Sequence, residues 1–273
     1  MASAFESQAA LRRHTLWSGQ VRLMVSPPRG AVANMALDEA MLLTAADTGL
    51  TLVRLYQWSS PSVSFGRNQR TVDVYSCERC EARWVPVVRR LTGGRALLHA
   101  RELTYAVAAP TSAARTLRCG YEAINDVLLN ALRSLGVNAD LAAPLGRTAS
   151  PGLAPCFETA SAGELVVNGA KIAGSAQHRD SRAFLQHGSI LLDNDQGMLA
   201  ELALVPLPAV PAPATLRSLR ADADAATLIA AITDALRGAA GGDIVEAADD
   251  DLPVYHVEAA ATRYRDPRWT WRR

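Results

Sequence analysis

The sequence predicts an α+β fold built on a mixed, largely antiparallel sheet flanked by helices. Three observations lead there. Short runs of alternating apolar and polar residues are joined by turn residues instead of by helices. Helical spacing recurs between some of these runs but not after each one, so the regular alternation of a doubly wound parallel sheet is absent. Of the 273 residues 49% are apolar and 20% are charged, an ordinary balance for a chain that buries a large core.

Taken in order, VRLMVS (21–26) reads as a strand. Asn34 to Ala46 reads as a helix, with Met35, Leu37, Met41, Leu42 and Ala45 on its apolar face and Asn34 as its cap. TLVRLYQW (51–58) alternates as a strand, and Ser59-Ser60-Pro61-Ser62 turns the chain into SVSFG (62–66). A helix is expected from Val72 to Arg83, and WVPVV (84–88) then enters a strand that runs into the Gly93-Gly94 loop. ALLHA (96–100) and LTYAVAAP (103–110) read as the two arms of a hairpin-like unit.

Tyr121 to Leu135 is an amphipathic helix closed by Gly136. ELVVNGAKIAGSAQ (164–177) carries the Asn-Gly pair of a tight hairpin, and FLQHGSILLD (184–193) follows as a strand after a turn at 178–182. Beyond Asp195 the texture changes. LALVPLPAVPAPATL (202–216) reads as a mobile connector, and 225–237 and 251–262 as short helices. The expected division is a catalytic core over 20–195 and, over 196–273, an Ala/Pro-rich connector with C-terminal helices packing on that core.

The 28 basic and 27 acidic residues leave a formal charge of +1, which gives no general attraction to nucleic acid or to an anionic membrane. The first twenty residues have no apolar stretch of the kind a signal peptide needs, and nowhere do eighteen apolar residues run together. Four cysteines are too few for a disulfide framework, so a reduced, cytoplasmic protein is expected.

Four segments carry candidate chemistry. RRLTGGRALLH (89–99) ends a strand in two arginines and two glycines. It reads either as an ordinary turn or as a loop in which Arg89, Arg90 and Arg95 join backbone N–H groups to hold a carboxylate, a phosphate or a polar acyl head. It matches neither the P-loop nor the dinucleotide fingerprint. In NGAKIAGSAQ (168–177), Lys171 is flanked by small residues; it is either an exposed hairpin lysine or one turned into a pocket. Gln186 and His187 sit within a strand, where a lone histidine is usually structural. Among the cysteines, Cys77 and Cys80 lie in a helix with no second pair, which speaks against zinc. Cys156, in GLAPCF, follows a Gly/Pro-rich loop, the kind of place where reactive side chains are held.

These segments, in this order, resemble the biotin/lipoate A/B protein ligase family over about residues 20–195, and within it the octanoyltransferases of the LipM type. The resemblance rests on RRLTGGRALLH, ELTYAV (102–107), NGAKIAGSAQ and LQHGSILLD, with PCF at 155–157. It implies the sheet-and-helix fold of the biotin and lipoate ligase catalytic module. It also implies an acyl-accepting nucleophile at Cys156, an acyl site lined by Lys171, and a tunnel wall at Arg89 to Gly94. The substrate-contacting set is then Arg89, Arg90, Thr92, Gly93, Gly94, Arg95, His99, Gly174, Ser175, Ala176, Gln186, His187 and Gly188. Ala100 stands where relatives often carry an acid, so one polar contact is expected to be missing. SFGRNQ (64–69) is closer to the ATP-dependent lipoate ligases.

The implied reaction moves octanoyl from acyl carrier protein to a lysine of a lipoyl domain, of the glycine-cleavage H protein type, through a Cys156 thioester. It needs no metal and no cofactor. ATP and magnesium enter only if the chain is a ligase working through an acyl-adenylate; a non-catalytic acyl- or lipoyl-domain-binding protein is the third reading. His99 and His187 are candidates for moving the acceptor's proton, and Arg89, Arg101 and Arg179 for a basic rim that steers acidic partner domains.

Overall fold

A computed structural model describes residues 14–143, 163–208, 211–220, 222–241 and 243–272. Its strands are β1 (Val21–Val25), β2 (Thr51–Tyr56), β3 (Ser62–Phe65), β4 (Val87–Arg89), β5 (Leu97–His99), β6 (Glu102–Pro110), β7 (Asp140–Leu141), β8 (Leu165–Val167), β9 (Ala170–Lys171), β10 (Ala173–Arg179), β11 (Ala183–Leu191) and β12 (Ile244–Ala247). The main sheet runs β10-β11-β6-β2-β1-β12. Its β10–β11, β11–β6 and β6–β2 pairings are antiparallel, and β2–β1 and β1–β12 are parallel. The expected mixed, largely antiparallel sheet is therefore what forms. Two small sheets, β4-β3-β5 and β7-β8-β9, accompany it.

The helices are α1 (Ala31–Thr48), α2 (Cys77–Ala82), α3 (Leu117–Ser134), α4 (Met198–Leu202), α5 (Leu216–Leu219), α6 (Ala225–Ala240), α7 (Val254–Arg265) and α8 (Pro267–Thr270). Period-two alternation sends Val53, Leu55, Tyr105 and Val107 into one core with α3 and α6. Leu52, Tyr56, Ala106 and Ala108 enter a second core with α1 and α7 on the opposite face. Residues after 195 thus supply a sheet-edge strand and a helix to each face.

Several expectations need correcting. Leu97–His99 and Glu102–Pro110 are not arms of one unit: β5 pairs with β3, whereas β6 lies between β2 and β11. A tight corner, with the Glu102 N–H donating to the Ala100 carbonyl at 3.0 Å, swings the chain from one sheet to the other. The helix expected from Val72 begins at Cys77, because Asp73 adopts a positive φ and Ser76 caps the Arg79 N–H. Trp84 is likewise at positive φ and exposed, so the next strand starts only at Val87. Helix α1 starts at Ala31, not Asn34. The Asn34 side chain is buried inside it, donating to the Arg29 and Gln57 carbonyls and accepting from Arg54.

The Asn168-Gly169 hairpin forms between β8 and β9, both residues at positive φ as a primed turn requires. β12 had no counterpart in the sequence reading. The described part of the Ala/Pro-rich stretch is tied down: the Leu204 N–H bonds the Val74 carbonyl, and the Ala214 N–H the Lys171 carbonyl.

Candidate active site

The loop after β4 is held from beneath by its own arginines. Arg89 is fully buried. Its Nε donates to the Thr270 carbonyl at 2.8 Å, and its Nη1 to the Gly66 and Gln69 carbonyls at 2.7 and 2.8 Å. Its Nη2 reaches the Thr71 hydroxyl at 3.0 Å. Arg90 Nη2 donates to the Gly93 and Arg95 carbonyls at 2.8 and 2.9 Å. These groups bind the chain's own carbonyls, which is not the arrangement of a carboxylate or phosphate clamp at Arg89 and Arg90. Gly66 is required here, since a Cβ on it would lie 1.9 Å from the Gly94 carbonyl oxygen. Gly94 has φ +95 and abuts Arg90, whereas Gly93 has open space around it.

Strand β11 sends Gln186 and His187 to opposite faces. His187 faces α1: its Nδ1 meets Asp38 Oδ2 at 2.8 Å, and its Nε2 meets the Thr92 hydroxyl at 2.7 Å. Tyr56 and Arg54 hold the same carboxylate, at 2.8 and 3.3 Å. His99 is engaged in the same manner. Its Nδ1 meets Glu102 Oε1 at 2.7 Å, its Nε2 the Ser64 hydroxyl at 2.7 Å, and the Trp58 ring stacks on it at 3.9 Å. A carboxylate for His99 comes from Glu102, three residues on, and not from position 100. With both nitrogens of each ring engaged and the rings sealed, neither histidine is placed to carry the acceptor's proton. Thr92 is buried as well, its carbonyl accepting from the Arg67 N–H at 2.8 Å.

The other face holds Gln186 and Gly188, with Ser175 of β10 directly opposite Gly188. Gln186 Nε2 donates to the Tyr105 hydroxyl at 2.9 Å, which lies 2.6 Å from the Ser175 hydroxyl. Burial pushes the Tyr105 phenol up to about 12 and raises Tyr121 further. Gly188 must be glycine, because a Cβ would sit 2.4 Å from the Gly174 carbonyl and 2.9 Å from the Ser175 hydroxyl. Ala176 pairs with His187 across the β10–β11 ladder. At the root of this face, Lys171 is only 4% exposed, and its Nζ lies 2.8 Å from Glu164 Oε1. The exposed-hairpin reading of this lysine is overturned.

Cys156 lies outside the described residues, so the predicted juxtaposition of its thiol with Lys171 does not enter the geometry. Of the expected basic rim, Arg89 is sealed and Arg101 is bound to Asp193 and Asp195, which leaves Arg179 exposed. A cavity of about 550 Å³ opens between α1 and α7, walled by Val32, Leu37, Val87, Leu252 and Val257. It shares no residue with the predicted site.

The sequence pattern described as the lipoyl protein ligase A/B catalytic domain matches residues 31–228. The chain belongs to that family. Within this ligase A/B family, it is 44% identical over 175 residues to the octanoyltransferase LipM of Exiguobacterium sp. (strain ATCC BAA-1283 / AT1b), covering 61% of this chain and 63% of that protein. It is 37% identical over 196 residues to the octanoyltransferase LipM of Brevibacillus brevis, covering 68% and 71%. The chain therefore spans a little under two thirds of the first relative's length. A crystal structure of lipoate-protein ligase A bound with ATP superposes with a TM-score of 0.74 at 20% identity, covering 93% of this chain and 99% of that one. Plasmodium falciparum LipL1 in complex with lipoate gives 0.72 at 17%, covering 93% and 74%. At such identities the likeness bears on the fold alone.

Residue-by-residue reading of this ligase A/B domain missed Glu164, Glu102, Ser64, Asp38 and Tyr105. One signal was available for the first. Lys171 is the single lysine among 28 basic residues, the rest being arginine. A compact ammonium retained where arginine serves everywhere else marks a position that a planar fork does not fill, and a buried lysine needs a carboxylate within reach.

Proposed function

We propose that this chain is an octanoyltransferase that moves octanoyl from a carrier-protein thioester to a lysine of a lipoyl domain. The observation that carries the reading is its 44% identity over 175 residues to a protein named octanoyltransferase LipM. In the proposed first step the Cys156 thiolate attacks the octanoyl carbonyl, and the carrier thiolate leaves. In the second, the neutral amine of the acceptor lysine attacks the Cys156 thioester, loses a proton, and releases the Cys156 thiolate with formation of an amide. The thiol-to-thiol exchange is nearly balanced and the amide step runs downhill, so neither ATP nor a metal is called for.

Lys171 is the chain's one lysine and is buried, which supports an acceptor amine supplied by a partner. Its ammonium, held by Glu164, is the candidate for stabilising the negative charge that develops on the acyl oxygen. The Gly93 and Gly94 N–H groups are further candidates. The Thr92 and Gly93 carbonyls are fixed by the Arg67 N–H and by Arg90, and in a trans peptide the following N–H points the opposite way.

Intact-mass measurement after mixing with octanoyl-acyl carrier protein tests the reading. The expected result is a hydroxylamine-labile octanoyl adduct that Cys156→Ala abolishes. Modification of a lipoyl domain only from octanoate plus Mg-ATP, with no such adduct, would replace the transferase by a ligase.

A further inference from the structure

One buried chain of hydrogen bonds has geometry beyond what the proposed chemistry uses. Arg90 Nη1 donates to the Ser64 hydroxyl at 3.0 Å and to the Ser64 carbonyl at 2.9 Å. Ser64 Oγ is 2.7 Å from His99 Nε2, and His99 Nδ1 is 2.7 Å from Glu102 Oε1. With Arg90 donating to Ser64 Oγ, the hydroxyl's own hydrogen is available to His99 Nε2; we assign it there, which puts the ring hydrogen on Nδ1 facing the carboxylate. The donors therefore point in one direction, Arg90 to Ser64 to His99 to Glu102. Thr104 and Ser189 add hydroxyl bonds to the same Glu102 oxygen, each at 2.7 Å, and the Trp58 indole fixes Thr104 at 2.9 Å.

A serine, a histidine and a carboxylate in this order have the spacing of a hydrolytic triad, yet Ser64 and Glu102 are 0% exposed and His99 is 4% exposed. No substrate carbonyl reaches that hydroxyl. The chain's other end does the work: Arg90 grips the Gly93 and Arg95 carbonyls.

We propose that Glu102, His99 and Ser64 are positioning residues of acyl transfer, a sealed relay that orients Arg90 so that the loop presents the Gly94 N–H to the acyl oxygen. With the Gly93 carbonyl pulled inward by Arg90, the Gly94 N–H of the same planar peptide is directed outward. Asp38–His187–Thr92 holds the preceding residue of the loop from the α1 side. The loop is pinned at two successive points by a carboxylate–imidazole–hydroxyl chain at each. The inference rests on the transferase reading for the identity of the acyl group, but not for the holding of the loop.

The test uses the full chain with Ser64→Ala, which deletes the one atom joining His99 to Arg90, and Glu102→Gln as a second variant of nearly unchanged shape. Two quantities are read: single-turnover formation of octanoyl-enzyme over a range of octanoyl-acyl carrier protein concentrations, and hydrogen exchange of the segment 90–96. In Ser64→Ala the maximal rate should fall about ten-fold or more while the half-saturating concentration stays within about two-fold, as expected for misplacement at the reacting atoms. Exchange over 90–96 should rise while that of β6 and β11 stays as in the unaltered chain. Adding Arg90→Lys to Ser64→Ala should lower the rate little beyond Arg90→Lys alone, because the two act as one unit. An unchanged rate, or a ten-fold loss with unchanged loop exchange, overturns the proposal. If the unaltered chain forms no octanoyl-enzyme, the transferase reading falls, and the exchange comparison still decides whether the relay holds the loop.

Discussion

The ammonium of Lys171 and the carboxylate of Glu164 lie 2.8 Å apart with 3% and 6% of their side chains exposed. Removing one partner of such a pair takes the opposite charge away from the other in a medium that solvates charge poorly. Lys171→Met and Glu164→Gln are each expected to cost about 3 kcal/mol of stability in urea unfolding, with a smaller loss in the double variant than the sum. Lys171→Arg, which keeps the charge but not the shape, should reduce octanoyl-enzyme formation more than it reduces stability. Equal losses in both would mean that the lysine is structural.

Glycines 66 and 93 separate a packing requirement from a permissive one. A methyl at Gly66 would meet the Gly94 carbonyl at 1.9 Å, while one at Gly93 meets nothing within 4 Å. Gly66→Ala should therefore displace the loop and lower transfer strongly. Gly93→Ala keeps the N–H and should leave the melting temperature within a few degrees, as a surface change does. Differential scanning calorimetry beside the acylation assay checks both.

His178 accepts from Arg67 Nη1 at 3.2 Å, and burial, with the Arg67 charge, pushes its pKa below the usual value of about 6.5. Folding thus favours the neutral ring. The stabilisation is fully present above the ordinary value and is lost as pH falls through the lower folded value. Since the Arg67 N–H holds the Thr92 carbonyl, transfer should weaken over the same acidic range. His178→Gln should flatten that limb of the stability–pH curve; a limb of the same size in both proteins would assign it to another group.

Arg89 ties β4 to two other segments, to 66–71 through Gly66, Gln69 and Thr71 and to the C-terminal helix through Thr270. Lysine has the charge without the fork and leaves carbonyls unmet. Arg89→Lys is expected to cost about 2–4 kcal/mol in chemical unfolding, well above an ordinary surface change. A cost under about 0.5 kcal/mol would show that these bonds are dispensable.

The local elements were legible where chemistry is local. The Asn168-Gly169 turn, the alternation of β2 and β11 and the apolar stripe of α3 appeared where turn residues and spacing put them. Misreadings fell where a neighbour in space decides. The tight corner between His99 and Glu102 looks like a hairpin in sequence because two apolar runs flank it closely, yet the runs pair in different sheets. β12 was unreadable because IVEA is short and β1, with which it pairs, lies more than two hundred residues earlier.

For the site, the sequence by itself singled out three segments, the Arg89–Arg95 loop, the Lys171 hairpin and the 184–193 strand, through their residue types and spacing. Only the tertiary structure decided what each side chain does. It turned Arg89 and Arg90 inward onto backbone carbonyls, gave His99 and His187 to Glu102 and Asp38, and paired Lys171 with Glu164. The physical reason is that a buried polar group takes its role from its nearest partners. Some of those partners are distant in the chain, Gly66 lying 23 residues from Arg89 and Asp38 149 from His187, where sequence spacing carries no information; even the near ones, such as Glu164 and Lys171, are brought together by the fold of a hairpin and not by spacing alone.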